Sequence, residues 1–259
     1  MKKTKIIIPA LGLLLLSTAA SVTGTVAWFS ANTSVYANNM NVKVEAEYGL
    51  VIANAAGANA TYNNQVEAAD TAVKALKPAS TADLLTWLYS VSTNPGQANT
   101  QQEYKTVTTA SEYYVLHNFY IRSSAGTELT IGSLDIKKVT ATPGVEQALS
   151  KALRVGITFE HDTSAYIYAP ITGYSASYSV QKAAGAYSSA AADRTDVAPK
   201  AGTVVSNSSV TSLPANTAQG ELVKVYIWFE GEDAACISNN LVASLTNIKV
   251  DIEFGYTAA

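Results

Sequence analysis

Apolar and polar residues alternate in short runs along much of this chain, the period-2 signature of strands with one buried face. Met40, Val42, Val44 and Ala46 alternate with Asn41, Lys43, Glu45 and Glu47. Ile248, Val250, Ile252 and Phe254 do the same near the end. Leu222–Phe229 is apolar at nearly every position, as a strand covered on both faces should be. Further strands are predicted at Leu50–Ala53, Glu112–Arg122, Leu129–Val139, Leu153–Phe159 and Ala165–Ala169, rich in β-branched and aromatic residues. Two stretches break the alternation. Ser80–Tyr89 predicts a short helix, capped by Ser80 or Thr81, with Leu84, Leu85 and Leu88 on one side. Val145–Leu153 predicts a second, with Val145, Ala148, Leu149 and Ala152 at helical spacing. Residues 54–109 and 173–220 are rich in Ala, Ser, Thr and Asn, with poor periodicity, and predict two long polar insertions outside the core. About eight strands with these insertions predict an all-β domain over residues 40–259, closed as a jelly-roll-like two-sheet sandwich with two short helices.

The N-terminus has a different pattern. Lys2, Lys3 and Lys5 precede the apolar run Ile6–Leu16, and small residues follow to Ala27. That order is the layout of a secretory signal over residues 1–27, and the apolar core falls short of the roughly 20 residues a span needs. Cleavage by signal peptidase fits after Thr25-Val26-Ala27 or after Val35-Tyr36-Ala37. An uncleaved anchor is the other reading, since Ile6–Phe29 carries no charge. Each places the remainder at the cell surface or outside the cell, with membrane contact only through this segment.

The junction Gly24-Thr-Val-Ala-Trp-Phe-Ser-Ala-Asn-Thr-Ser34, with the strand from Met40 to Glu47, resembles the start of the TasA/camelysin family of secreted bacterial proteins and archaeal relatives. Val225-Tyr-Ile-Trp-Phe-Glu-Gly-Glu-Asp-Ala-Ala-Cys236 and Asn247–Phe254 are similar to the C-terminal half of secreted proteins of the same broad group. The two matches cover about a fifth of the chain, at its ends. The resemblance implies a jelly-roll β-domain and, in fibre-forming members, subunits joined by a strand donated from a neighbour.

Composition narrows the function. Only 14% of the 259 residues are charged, against about 25% in ordinary globular domains. Cutting after Ala27 removes three lysines and no acid, leaving 14 basic against 20 acidic residues, net −6. That balance argues against a nucleic-acid partner. Low charge suits a subunit that buries its surface against copies of itself. Cys236 is the only cysteine, so no intrachain disulfide exists, and a buried thiol is expected.

Catalytic patterns are missing. The histidines, His117 and His161, lie in no His-Glu-x-x-His arrangement, so the protease activity described for camelysin relatives has no metal-binding motif here. Glu160-His161-Asp162 offers metal-ligand types but reads as a solvated turn, because successive strand side chains face opposite ways and three adjacent residues cannot all face one ion. Glu230, Glu232 and Asp233 around Gly231 are weak candidates for a hard cation, with a solvent-facing charged turn as the plainer reading. Asp193 and Asp196 are weaker still. No cofactor is expected, and an enzyme is the least supported class. Asn32, Asn59 and Asn207 begin N-glycosylation acceptor triplets.

The leading expectation is therefore a structural subunit of an extracellular filament or biofilm-matrix fibre. The segment 28–39 is the candidate donor strand, with Trp28, Phe29, Val35 and Tyr36 as apolar anchors lacking an obvious intrachain partner, and a disordered tail or a self-paired first strand is the plainer reading. A cell-surface carbohydrate-binding or adhesion module is the alternative, with exposed tyrosines in Tyr166–Tyr187 stacking on sugars. A type IV pilin-like subunit is the second, though Pro9, Gly12 and Gly24 oppose its long N-terminal helix.

Overall fold

The computed structural model describes residues 35–38, 40–70, 74–91, 103–142, 151–171, 174–233, 236, 245–246 and 248–259. The described strands are, in chain order, β1 (Val35–Asn38), β2 (Met40–Ala46), β3 (Leu50–Ala53), β4 (Gln65–Asp70), β5 (Lys74–Leu76), β6 (Leu88–Val91) and β7 (Glu103–Thr106). There follow β8 (Tyr114–Ser123), β9 (Leu129–Thr142), β10 (Leu153–Phe159), β11 (Asp162–Ala169), β12 (Tyr178–Gln181), β13 (Gly185–Ala186) and β14 (Arg194–Val197). The last are β15 (Lys200–Ala201), β16 (Ser206–Asn207), β17 (Ser212–Leu213), β18 (Glu221–Phe229), β19 (Leu245–Thr246) and β20 (Lys249–Ala258). The protein is all-β, as the alternation predicted.

Two sheets form the body. The first has the order β15-β11-β10-β18-β8-β3, and the second β16-β9-β20-β2-β4 with β17 also on β9. Their inner faces share one core, in which Val42, Val44, Phe119, Ile136, Val155, Ile157, Val225, Ile227, Ile252 and Phe254 are buried. β18 sits between β10 and β8, antiparallel to both. Its Val223, Val225, Ile227 and Phe229 face the main core, while Tyr226 and Trp228 enter a second cluster with Leu84, Trp87, Tyr113, Tyr178, Val180 and Val197. Burial on both sides accounts for its near-continuous apolar sequence.

The second cluster overturns the first predicted helix. Residues 81–87 form a tight loop instead, and Leu84 takes a left-handed φ of 59°, which stops helical propagation. Thr81 Oγ1 accepts the Leu84 N–H at 2.9 Å, and Asp83 Oδ1 accepts those of Leu85 and Thr86 at 2.9 and 2.7 Å. These are the bonds a cap would make, here closing a loop. The loop presses Leu84 onto Gly156 of β10, where an added Cβ would lie 2.5 Å from the leucine side chain. Leu85, expected beside Leu84 and Leu88, is 81% exposed: the loop buries Leu84 and Trp87 and turns Leu85 and Thr86 between them outward. Of the second predicted helix, residues 145–150 lie outside the described residues, and Leu153, its last residue, opens β10 instead.

The insertions are also less peripheral than expected. β4 extends the second sheet along β2 over six register pairs. β15, β16 and β17 pair with β11 and β9, and Val210 and Leu213 belong to the main core. β12 pairs with β14 and β6 with β7, and residues of β6, β12 and β14 pack into the outer cluster. Apart from the six-residue β4, these strands are two to four residues long, too short to show a period, which is why the sequence reads as loop.

Candidate functional site

The predicted acidic turn follows directly from β18. At Phe229 the strand ends, and the Glu230 N–H donates to Ala152 O at 2.8 Å while the Gly231 N–H donates to Ala79 O at 3.0 Å. The turn is thereby clamped between two other segments. Gly231 has room for no more: a Cβ there would lie 3.0 Å from Ser80 Oγ. Glu230 is fully buried, and the Glu232 and Asp233 side chains nearly so. The expectation of a solvent-facing charged turn is therefore corrected.

Each carboxylate has its own donors. Glu230 accepts the Trp228 indole N–H at 3.1 Å and the Glu232 backbone N–H at 3.0 Å. Glu232 accepts the Tyr104 hydroxyl at 2.6 Å and pairs with Arg194 at 3.0 Å. Asp233 pairs with Arg154, whose guanidinium is fully buried and also donates to the Lys151 and Leu153 carbonyls. Burial pushes the Glu230 carboxyl up to about 7, against the hydrogen bonds and the Arg154 charge. It likewise raises Glu232 and the Tyr178 hydroxyl. With these oxygens occupied by two guanidiniums, a tyrosine and an indole, Glu230, Glu232 and Asp233 form a structural lock, and a hard cation would have to displace it. The lock ties the insertion strands β7 and β14 to β18 through Tyr104 and Arg194. Sequence reasoning missed both partners.

Cys236 is a buried free thiol, as expected, and its N–H donates to Asp233 O at 2.8 Å. Burial raises its thiol well above the ordinary range.

The turn Glu160-His161-Asp162 joins β10 to β11. Glu160 and His161 are exposed as expected, whereas Asp162 is buried. Burial disfavours its ionised form, but the Tyr166 hydroxyl at 2.7 Å and the Ser209 and Ser164 N–H groups at 2.9 and 2.8 Å outweigh that and hold it near about 2. Asp193 accepts the Ser188 hydroxyl at 2.7 Å, and Asp196 is exposed.

Of the acceptor triplets, Asn32 lies outside the described residues and Asn59 is exposed. Asn207 is a poor acceptor, because its side-chain N–H groups donate to Ser133 Oγ at 3.1 Å and Asp135 Oδ1 at 3.0 Å. The tyrosines meant for sugar stacking are mostly inside: Tyr166, Tyr168 and Tyr178 are buried, and Tyr174 and Tyr187 lie under the cations of Lys151 and Arg194.

Of the candidate joint, Trp28 and Phe29 lie outside the described residues. Val35 and Tyr36 are in β1, which pairs antiparallel with β5 (Val35↔Leu76, Tyr36↔Ala75, Ala37↔Lys74) and parallel with β19 (Ala37↔Leu245, Asn38↔Thr246). The expectation that this stretch has no intrachain partner is corrected for residues 35–38. Three register pairs on one side and two on the other make it a short ladder. Compared with models of protein families, with curated proteins and with solved structures, the chain matches none of them.

Proposed function

We propose that this protein is an exported structural subunit that polymerises through its N-terminal segment, making an extracellular filament or matrix fibre with copies of itself. The observation that carries this reading is β1. The uncharged sequence Ile6–Val42 includes β1, which pairs with two other short strands, and ends within β2, the first strand of the sandwich. The ladder of β1 is small enough to exchange. The same pairs formed with a neighbour's β5 and β19 would conserve every backbone hydrogen bond while linking the chains. Trp28, Phe29, Val35 and Tyr36 supply apolar surface to that joint, each contributing on the order of 1.5–3 kcal/mol if buried. The low charge of the chain is consistent with surfaces covered in an assembly. The carbohydrate reading loses support from the burial of Tyr166, Tyr168 and Tyr178.

The test uses the register. In a variant carrying Tyr36→Cys and Ala75→Cys, oxidation within filaments should produce a ladder of covalent oligomers on a non-reducing gel. Deleting residues 28–37 should leave a folded protein that no longer polymerises. Filaments whose crosslinks are all within one chain, or a deletion variant that assembles at the wild-type rate, would overturn the proposal.

A further inference from the structure

At the other end of β18, away from the lock, Glu221 meets the β10–β11 turn. Its side chain is only 2% exposed, although it lies at the base of an open cleft of about 340 Å³ bordered by His161, Ser209, Thr211, Ser212 and Pro214. The His161 backbone N–H donates to Glu221 Oε1 at 2.9 Å, and the His161 Nδ1 lies 2.6 Å from Oε2. Glu160, one residue back, brings a second carboxylate. One ligand atom from each of Glu160, His161 and Glu221 lies within 4.8 Å of the other two.

We propose that Glu160, His161 and Glu221 form a binding site for a borderline divalent cation of the Zn²⁺ class at the mouth of this cleft. The ligand set is one imidazole and two carboxylates. Imidazole selects zinc and its neighbours over calcium and magnesium, which prefer oxygen alone. Ligands about 2.1 Å from a common tetrahedral ion stand about 3.4 Å apart. Reaching that spacing requires a small opening of the His161–Glu221 pair and a small closure by Glu160. Both moving side chains are exposed, His161 by 73%, so neither movement disturbs the core. The fixed member is Glu221, oriented by the His161 backbone N–H. The buried carboxylate at the base is the feature that lifts this set above an ordinary surface cluster. Its charge is desolvated, and among the described residues both hydrogen bonds to it come from one exposed histidine. An ion would neutralise it more completely, and the cleft leaves space for water to complete the coordination sphere. Asp162 takes no part, since it is turned inward to Tyr166 and Ser209.

The ion competes with a proton. The hydrogen bond from His161 to Glu221, and then their charges, favour the protonated ring. The other titratable group facing the ring is Glu160, and the opposite wall of the cleft, Ser209–Pro214, carries none. Binding should therefore weaken as pH falls through the histidine's range.

The proposal stands apart from polymerisation and is tested on the full chain with ZnCl₂ by calorimetric titration at pH 7.5 and 5.5. One ion per chain is expected, with weaker binding at the lower pH and a higher melting temperature in its presence. His161→Ala and Glu160→Gln, both at exposed positions, should each weaken binding about tenfold or more. The Zn²⁺-free melting curves of these variants show that they are folded, a check that the buried Glu221→Gln would not pass as readily. Absence of a one-to-one isotherm, or affinities unchanged in both variants, would overturn the site. Equal affinity for Ca²⁺ would overturn the assigned ligand class.

Discussion

The two ends of β18 carry the same residue type in the same degree of burial and treat it in opposite ways. Glu230 follows the strand's last residue and sits inside a ring of partners: Trp228, Ser80 and the Glu232 backbone, with Arg154 and Tyr178 close by. Glu221 begins the strand on a solvent-facing histidine. A buried carboxylate enclosed by fixed donors is committed to the fold. One whose partner is exposed to solvent retains the freedom to take another ligand. The contrast separates a structural acid from a candidate binding acid without appeal to residue type.

The largest effect should come from breaking the enclosed end. Arg154→Ala removes the fully buried partner of Asp233 and its own two contacts to the Lys151 and Leu153 carbonyls, breaking a buried ion pair. A loss of about 3–5 kcal/mol in denaturant unfolding is expected. A loss below about 1 kcal/mol would place that pair among surface ion pairs.

The pH dependence of the same end comes next. Glu230 has its folded value raised from 4.5 to about 7, so between those limits the folded state holds a proton that the unfolded state has lost. The stabilisation is complete below 4.5 and disappears as pH rises through about 7. The change is on the order of 3 kcal/mol if Glu230 alone titrates. Arg154, Asp233, Glu232, Tyr178 and Cys236 share its surroundings, so the slope is assigned by comparison with Glu230→Gln. That variant should be flatter over the same window, and an unchanged slope would remove Glu230 as the cause.

The open end should respond least. His161→Ala, measured without metal, is expected to cost no more than about 1 kcal/mol, because the backbone N–H at position 161 still donates to Glu221 and the open cleft admits water to the freed oxygen. A cost comparable to that of Arg154→Ala would make the two ends alike and erase the comparison. Smallest of all, Cys236 should resist thiol reagents in the native protein and react on unfolding, and Cys236→Ser should leave assembly intact. Rapid native labelling would show that the lock opens.

The sandwich was legible wherever a strand was long enough to show its period. β2 and β20 were read to within a few residues because seven to ten alternating positions outweigh chance, and β18 because its near-continuous apolar run marks a strand covered on both faces. The loop at 81–87 was not, since Thr81 and Asp83 satisfy the same N–H groups whether a helix follows or a left-handed residue intervenes. The deciding contact, Leu84 on Gly156, is made across the fold. The charged turn was misread for the same reason. Arg154 stands 79 residues from Asp233 and Arg194 stands 38 from Glu232, and local sequence carries no sign of either. His161 and Glu221, 60 residues apart, were likewise joined only by the pairing of β10 with β18.

The parallel pairing of β2 with β20, from Asn41↔Lys249 to Ala46↔Phe254, has a mechanical consequence. Side by side and pointing the same way, the first strand of the sandwich begins at one end of the pair and the last strand finishes at the other. Tension applied between the two ends of the sandwich would therefore slide these strands past one another, loading all six register pairs together instead of peeling them apart one by one. The ten pairs between β20 and β9 would brace the far side. A domain held at these two ends resists pulling by shear, the stronger of the two ways a ladder can be stressed, and its rupture would be governed by the rate of unfolding under load.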